Sequence, residues 1–139
     1  MKRRKLTDVA ASVRQRLLNE ARASGRPFNE LLQYFAMERF LFRLSVSPHG
    51  ERFILKGALL LVTWEISLTR STRDIDLLGI MANDVDRIVT VVKELCRQEV
   101  EPDGLEFAPD SVLGGESQRR PSTKVCASAS RGTWVLPGY

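Results

Sequence analysis

Asp74 and Asp76 are the residues of this sequence whose type and spacing point most directly to chemistry. Side chains two residues apart project about 200° away from each other around a helix, whereas in a strand they share a face with Cα atoms about 6.6 Å apart. The segment that holds them, Asp74-Ile75-Asp76-Leu77-Leu78-Gly79-Ile80, is short, apolar apart from its acids, and bounded by polar residues and glycine, which predicts a strand. Two ionised carboxylates on one face repel each other and resist burial, so a compensating charge is expected beside them. A divalent cation with oxygen ligands supplies it. Magnesium suits best, because it takes one or two carboxylates and completes its octahedron with water and phosphate oxygens. Spacing alone leaves two alternatives open: acids that face solvent on an edge strand, or ion pairs with Arg70 and Arg73.

The neighbouring residues favour the metal reading. Lys56 and Gly57 lie shortly upstream; a helix opening near Gly57 would turn free backbone N–H groups toward an anion, and the missing side chain would allow close approach. Arg70, Thr72 and Arg73 add donors immediately before the acids. One stretch therefore combines metal-binding oxygens with phosphate-binding groups, the inventory for phosphoryl or nucleotidyl transfer. No G-x-x-x-x-G-K-[ST] or G-x-G-x-x-G occurs, so P-loop and Rossmann nucleotide binding find no support.

Several elements must position these groups. Thr7 or Asp8 caps a helix whose apolar positions Val9, Val13, Leu17, Leu18 and Ala21 keep helical spacing, and Gly25 and Pro27 end it. A second helix is predicted from Asn29 to about Ser45, burying Leu31, Leu32, Phe35 and Phe42 before Ser47-Pro48-His49-Gly50 breaks it. The two form a helical hairpin. Its aromatics Tyr34, Phe35, Phe40 and Phe42 read as core packing rather than as a base-stacking platform, and His49 as a turn residue rather than a ligand. Periodicity does not decide whether the apolar run after Lys56-Gly57 is helix or strand; a short helix opening near Gly57 is the favoured reading. Asn83 caps a further amphipathic helix that buries Val85, Ile88, Val89, Val92, Leu95 and Cys96 and ends before Pro102-Asp103-Gly104, with Cys96 as a small core residue. Leu105-Glu106-Phe107 reads as a short strand.

Composition sets the limits. The chain has 139 residues, 43% hydrophobic and 27% charged, an ordinary balance for one globular domain. Its longest apolar run, Ala58 to Val62, is far shorter than the roughly 20 residues of a membrane span, and Met1-Lys-Arg-Arg-Lys5 is not followed by a signal-peptide stretch. Two cysteines and one histidine give neither a disulfide framework nor a common zinc pattern, so a reduced, cytoplasmic protein without membrane contact is expected. The net charge of +4 resides at the ends: Lys2, Arg3, Arg4 and Lys5 alone account for it, and residues 6–113 hold 13 basic and 16 acidic groups. Residues 1–6 accordingly read as a solvated basic tail.

The stretch Phe53-Ile-Leu-Lys-Gly-Ala-Leu-Leu-Leu, followed by Arg70-Ser-Thr-Arg-Asp-Ile-Asp-Leu-Leu-Gly79, resembles the nucleotidyltransferase toxins of the abortive-infection type, the AbiEii/AbiGii family of type IV toxin–antitoxin systems. The combination of K-G-[GA] with R-x-T-x-D-x-D carries the likeness, which extends over residues 7–112. The resemblance implies an α/β (α+β) fold with a polymerase-beta-like nucleotidyltransferase core behind a helical lead-in. It implies that Asp74 and Asp76 hold magnesium, that Gly57 and Ala58 lie against the nucleotide phosphates, and that Thr72 is the hydroxyl residue just before the metal pair. The positions and charges of Lys56, Arg70 and Arg73 make them further expected phosphate contacts. The resemblance also implies a nucleoside triphosphate (NTP) substrate, an RNA acceptor such as a tRNA end, and a cognate antitoxin.

Two departures from the family pattern shape the expectations. Ala58 stands where a second glycine or a serine is frequent. The family's later strand with a third carboxylate and its lysine-bearing helical portion are not recognisable, and Glu106 is a poor substitute for that acid. Of the 26 residues from Gly114 to Tyr139, 12 are Gly, Pro, Ser or Thr without apolar periodicity, so 113–139 reads as a disordered or non-native tail of a truncated or frame-shifted chain with an incomplete sheet. Two aspartates leave a two-metal site short of ligands, so impaired transfer is expected. The alternatives are a catalytically incomplete remnant that only binds an antitoxin-type partner and, more distantly, a D-x-D glycosyltransferase.

Overall fold

Asp8 opens the first helix by accepting a hydrogen bond from the Ala11 N–H at 2.9 Å, so of the two capping candidates it is the one seen to act. A computed structural model describes residues 8–57, 75–80, 84–116, 123–130 and 134–135. The basic tail 1–6 lies outside them. Helix α1 (Val9–Ser24) ends where Gly25 turns left-handed at φ 70°, and α2 (Phe28–Val46) follows directly after Pro27. A 3-10 turn (Gly50–Arg52) leads into strand β1 (Phe53–Lys56), which pairs antiparallel with β2 (Asp76–Gly79). Helix α3 (Val85–Cys96) is capped by Asp84, whose side chain accepts from the Asp86 N–H; the expected cap, Asn83, lies outside the described residues. Strands β3 (Glu106–Glu116), β4 (Thr123–Ser130) and β5 (Trp134–Val135) form a second antiparallel sheet in the order β3-β4-β5. Helices and antiparallel sheets in one chain make this an α+β fold.

The core lies where α2, α3 and β3 meet. Phe40 and Leu44 of α2, Val91, Leu95 and Cys96 of α3, and Phe107 and Val112 of β3 are buried together, with Phe40 and Phe107 edge-to-face at 5.6 Å between ring centroids. Of the stripe expected on α3, Leu95 and Cys96 are buried and Val89 and Val92 pack against the cluster, while Val85 and Ile88 are half-buried and Val91, outside the expected set, is buried. On α2 the buried face is Leu32, Ala36, Met37, Phe40, Arg43 and Leu44, and the expectation for Phe42 is corrected: it is 42% exposed, with the Arg39 guanidinium 4.3 Å above its ring. Phe42 falls on the wrong side because the face that meets α3 is set by Phe40 and Leu44, one turn apart; position 42 is about 200° from position 40.

One charged group lies within this core. Arg43 is 4% exposed, and its guanidinium donates to both carboxylate oxygens of Asp103 (2.8 and 3.2 Å) and to the carbonyls of Arg39 and Leu105, while lying over the Phe107 ring. Arg39 lies 3.1 Å from the same carboxylate, which also accepts from the Leu105 N–H. Burial by itself would raise the Asp103 pKa, but the Arg43 hydrogen bond, the Leu105 N–H and the two arginine charges outweigh it and hold the carboxyl below its ordinary value.

The segment read as a structureless tail from 113 onward differs in the structure. Strand β3 runs through that point to Glu116, and its end pairs with β4 from Leu113↔Cys126 to Glu116↔Thr123. Of the glycines that suggested flexibility, Gly114 serves packing instead: a Cβ there would collide with Val89 Cγ2 and come within 2.8 Å of Val85 Cγ1, so the missing side chain lets α3 lie against the strand. The register shifts between Ala108 and Leu113, an irregularity that accommodates Pro109, and there the Ser111 hydroxyl donates to the Ala108 carbonyl at 2.6 Å.

Three outcomes follow for stability. Asp103→Ala leaves the Arg43 charge buried without its partner and is expected to cost about 3 kcal/mol in denaturant unfolding. A carboxyl with a lowered native pKa contributes stability above the unfolded-state value and loses it as pH falls through the native one. The parent is therefore expected to lose stability on acidification below the ordinary aspartate range more steeply than Asp103→Asn, as read from unfolding midpoints across that range. Gly114→Val drives methyl groups into Val85 and Val89 and is expected to cost about 1 to 3 kcal/mol, whereas the same change at Gly115, which has open space around it, should cost less.

Candidate functional site

The two sequence motifs meet through backbone pairing. In the β1–β2 ribbon Phe53 stands opposite Gly79, Ile54 opposite Leu78, Leu55 opposite Leu77, and Lys56 opposite Asp76. The final residue of β1 and the first of β2 are therefore direct neighbours, and directly opposed Cα atoms in an antiparallel pair lie about 4.5 to 5.5 Å apart. The reason is alternation. Phe53 and Leu55 are half-buried while Ile54 and Lys56 are exposed, and Phe53, Ile75 and Leu77 pack against the core cluster, which fixes the ribbon's face and with it the pairing. The Ile80 N–H donates to the Arg52 carbonyl at 2.7 Å and extends the pairing beyond the last strand residues.

Gly57 follows Lys56 with φ 77°, in the left-handed region that a residue with a Cβ adopts only at a cost. Glycine is needed here for the exit of the chain from β1. At Gly57 itself the backbone is not that of a right-handed helix; the helix expected beyond it falls on residues 58–74, outside the described residues. Asp74, Ala58, Arg70, Thr72 and Arg73 also lie outside them. Of the expected site, the structure brings together Lys56, Gly57 and the backbone of Asp76. The Lys56 side chain is exposed, so a cation is accessible to solvent at the D-x-D end of the ribbon. Reasoning from sequence missed this pairing, although the aromatic and β-branched character of Phe53-Ile54 before the glycine was a usable strand signal.

Among the described residues no three His, Cys, Asp or Glu side chains come together as a metal cluster. Elsewhere, a cleft of about 550 Å³ along residues 97–109 is lined by Arg43, Cys96, Asp103 and Phe107. Arg43 and Asp103 are consumed by each other, and burial pushes the Cys96 thiol up to about 11, which leaves it protonated and inert. His49 shares a hydrogen bond with Glu94 of α3, a tie between the turn after α2 and the helix. No helix among the described residues is long and apolar enough to cross a membrane.

The family model for the nucleotidyl transferase AbiEii toxin of type IV toxin–antitoxin systems matches residues 39–135. The chain belongs to that family, and membership implies a cognate antitoxin. The match starts within α2 and ends in β5, so it includes the strands beyond residue 112 and leaves out α1. No curated protein and no solved structure matches the chain.

Gly57→Ala is expected to cost about 1 to 2 kcal/mol in thermal or denaturant unfolding, because the left-handed conformation is retained by the ribbon on one side of it. An unchanged midpoint would show that the chain can leave β1 by another route.

Proposed function

We propose that the chain is a magnesium-dependent nucleotidyltransferase that binds a nucleoside triphosphate at the open end of the β1–β2 ribbon and transfers a nucleotide to RNA, tRNA ends being candidate acceptors. The observation that supports this reading is the register Lys56↔Asp76, which joins the K-G and D-x-D motifs at one place. The donor chemistry fits magnesium: hard carboxylate oxygens, with Asp76 at the start of an extended strand and Asp74 two residues before it in sequence. Asp74 and Asp76 would hold the ion, which supplies charge neutralisation on the phosphates and polarises the bond that breaks. Lys56 offers an exposed ammonium to phosphate oxygens, and Gly57 keeps the approach to the backbone free of side-chain atoms. Arg70, Thr72 and Arg73, by their position just before the acids, are the further phosphate donors of the proposal.

The test is calorimetric titration of each nucleoside triphosphate with and without magnesium, followed by transfer of labelled nucleotide to RNA. Asp74→Asn and Asp76→Asn, each of which removes one anionic ligand at nearly constant size, are expected to abolish most magnesium-dependent binding. Lys56→Gln should weaken it with magnesium still required. Parental binding in both aspartate variants would remove the carboxylates from the site.

A further inference from the structure

Charge is distributed very unevenly along the chain. Residues 1–26 hold eight Lys or Arg against two Asp or Glu, while residues 27–139 hold thirteen against fifteen. The described part of that basic segment is α1, and none of its residues is buried. With about 100° per residue around a helix, its half-buried positions Val9, Val13, Leu17 and Ala21 fall on one side, and an outward stripe runs through Gln15, Asn19 and Arg22. Arg16 lies at the edge of this stripe, whereas Arg14, about 200° around the helix from it, is turned toward α2 with its guanidinium 5.6 Å from the centroid of the Phe28 ring. Arg16 and Arg22 are exposed, and among the described residues they have no ion-pair partner. Gln15 donates to Asn19 at 3.0 Å, so the stripe between the cations consists of amides. The only acid within α1 is Glu20.

We propose that this outward face of α1 is the docking surface for the phosphate backbone of the acceptor RNA. The proposal rests on the nucleotidyltransferase reading for the identity of the acceptor, but the surface is independent of the nucleotide site and lies outside the segment matched by the family. Guanidinium groups at Arg16 and Arg22 on either side of the Gln15 and Asn19 amides are suited to phosphate oxygens and sugar hydroxyls, and Arg16 to Arg22 covers about 9 Å of helix, enough for more than one phosphate. An anionic membrane is the less suitable occupant. A basic helix that inserts into a bilayer needs a free apolar face, and here the large apolar residues of α1 are turned inward while the exposed positions are Ala, Arg, Gln, Asn, Glu and Ser.

The experiment measures binding of a fluorescent RNA hairpin with a single-stranded 3′ end to the full chain, by anisotropy over a series of salt concentrations without nucleotide. The double variant Arg16→Gln, Arg22→Gln keeps helix propensity nearly constant, and far-UV circular dichroism checks that it folds. Its affinity at low salt is expected to fall at least about tenfold, and the slope of log K against log salt to flatten by about 1.4, from two phosphate contacts at roughly 0.7 each. The double Arg→Lys variant should keep most of that slope, which a merely structural role for the arginines does not require. Parental RNA affinity and slope in the Gln variant would overturn the proposal. Stronger binding of the parent to phosphatidylglycerol vesicles than to RNA, lost in the same variant, would overturn it in favour of a membrane. Magnesium-dependent nucleotide binding, titrated in parallel, should be unchanged in the Gln variant. If the parent binds RNA through these arginines yet no nucleotide, the reading of the nucleotide site fails and the docking surface stands.

Discussion

The buried Arg43–Asp103 pair is the constraint on which the arrangement of elements depends. A guanidinium at 4% exposure is tolerated only when its donors are satisfied, and here they are satisfied from two places distant in sequence: the preceding turn of its own helix and the loop between α3 and β3. The loop cannot move away without leaving a charge uncompensated. Its position in turn starts β3 where Phe107 meets Phe40 edge-on and lies beneath the same guanidinium. The packing of α3 across Val91 and Leu95, and the contact of its valines with Gly114, follow from where β3 begins.

The β1–β2 ribbon is attached to this frame by only a few side chains. Phe53, Ile75 and Leu77 reach the cluster around Phe40 and Leu44, while Ile54 and Leu78, which oppose each other across the ribbon, are each about half exposed. An ammonium resists burial, and Lys56 lies exposed at the end of a ribbon whose other residues provide the anchorage. The helical lead-in is different in character: α1 contributes no buried residue and presents its charges outward, consistent with a role in contact with another molecule rather than in holding the core.

Features that depend on local chemistry were legible in the sequence. The cap of α1, the breakers after α1 and α2, much of the stripe of α3 and the strand character around Asp76 follow from spacing and residue type, and the D-x-D motif could be located before its partner was known. Features that depend on long-range pairing were not. Nothing near Arg43 announces that Asp103, 60 residues later, neutralises it. Gly114 and its small neighbours resemble a flexible segment in composition, because a glycine that permits close packing and a glycine that permits disorder are the same residue; only the valines of α3 distinguish them. Phe42 was misplaced because several aromatics fit a helical period, and the partner surface alone selects which are covered. The opposition of Lys56 and Asp76 was hidden for a related reason: each motif is local, but their relative placement is a property of strand pairing.

That pairing carries a vulnerability. A four-residue strand facing another of equal length has few contacts with which to reject neighbouring alignments, and a slip of one position would oppose Gly57 or Leu55 to Asp76 and turn every side chain of one strand to the other face. The penalty that opposes this is the loss of anchorage for Phe53, Ile75 and Leu77. Fidelity at the charged end of the ribbon is therefore enforced by greasy residues along its length, and alignment errors would produce a population of folded but chemically mismatched molecules rather than unfolded ones.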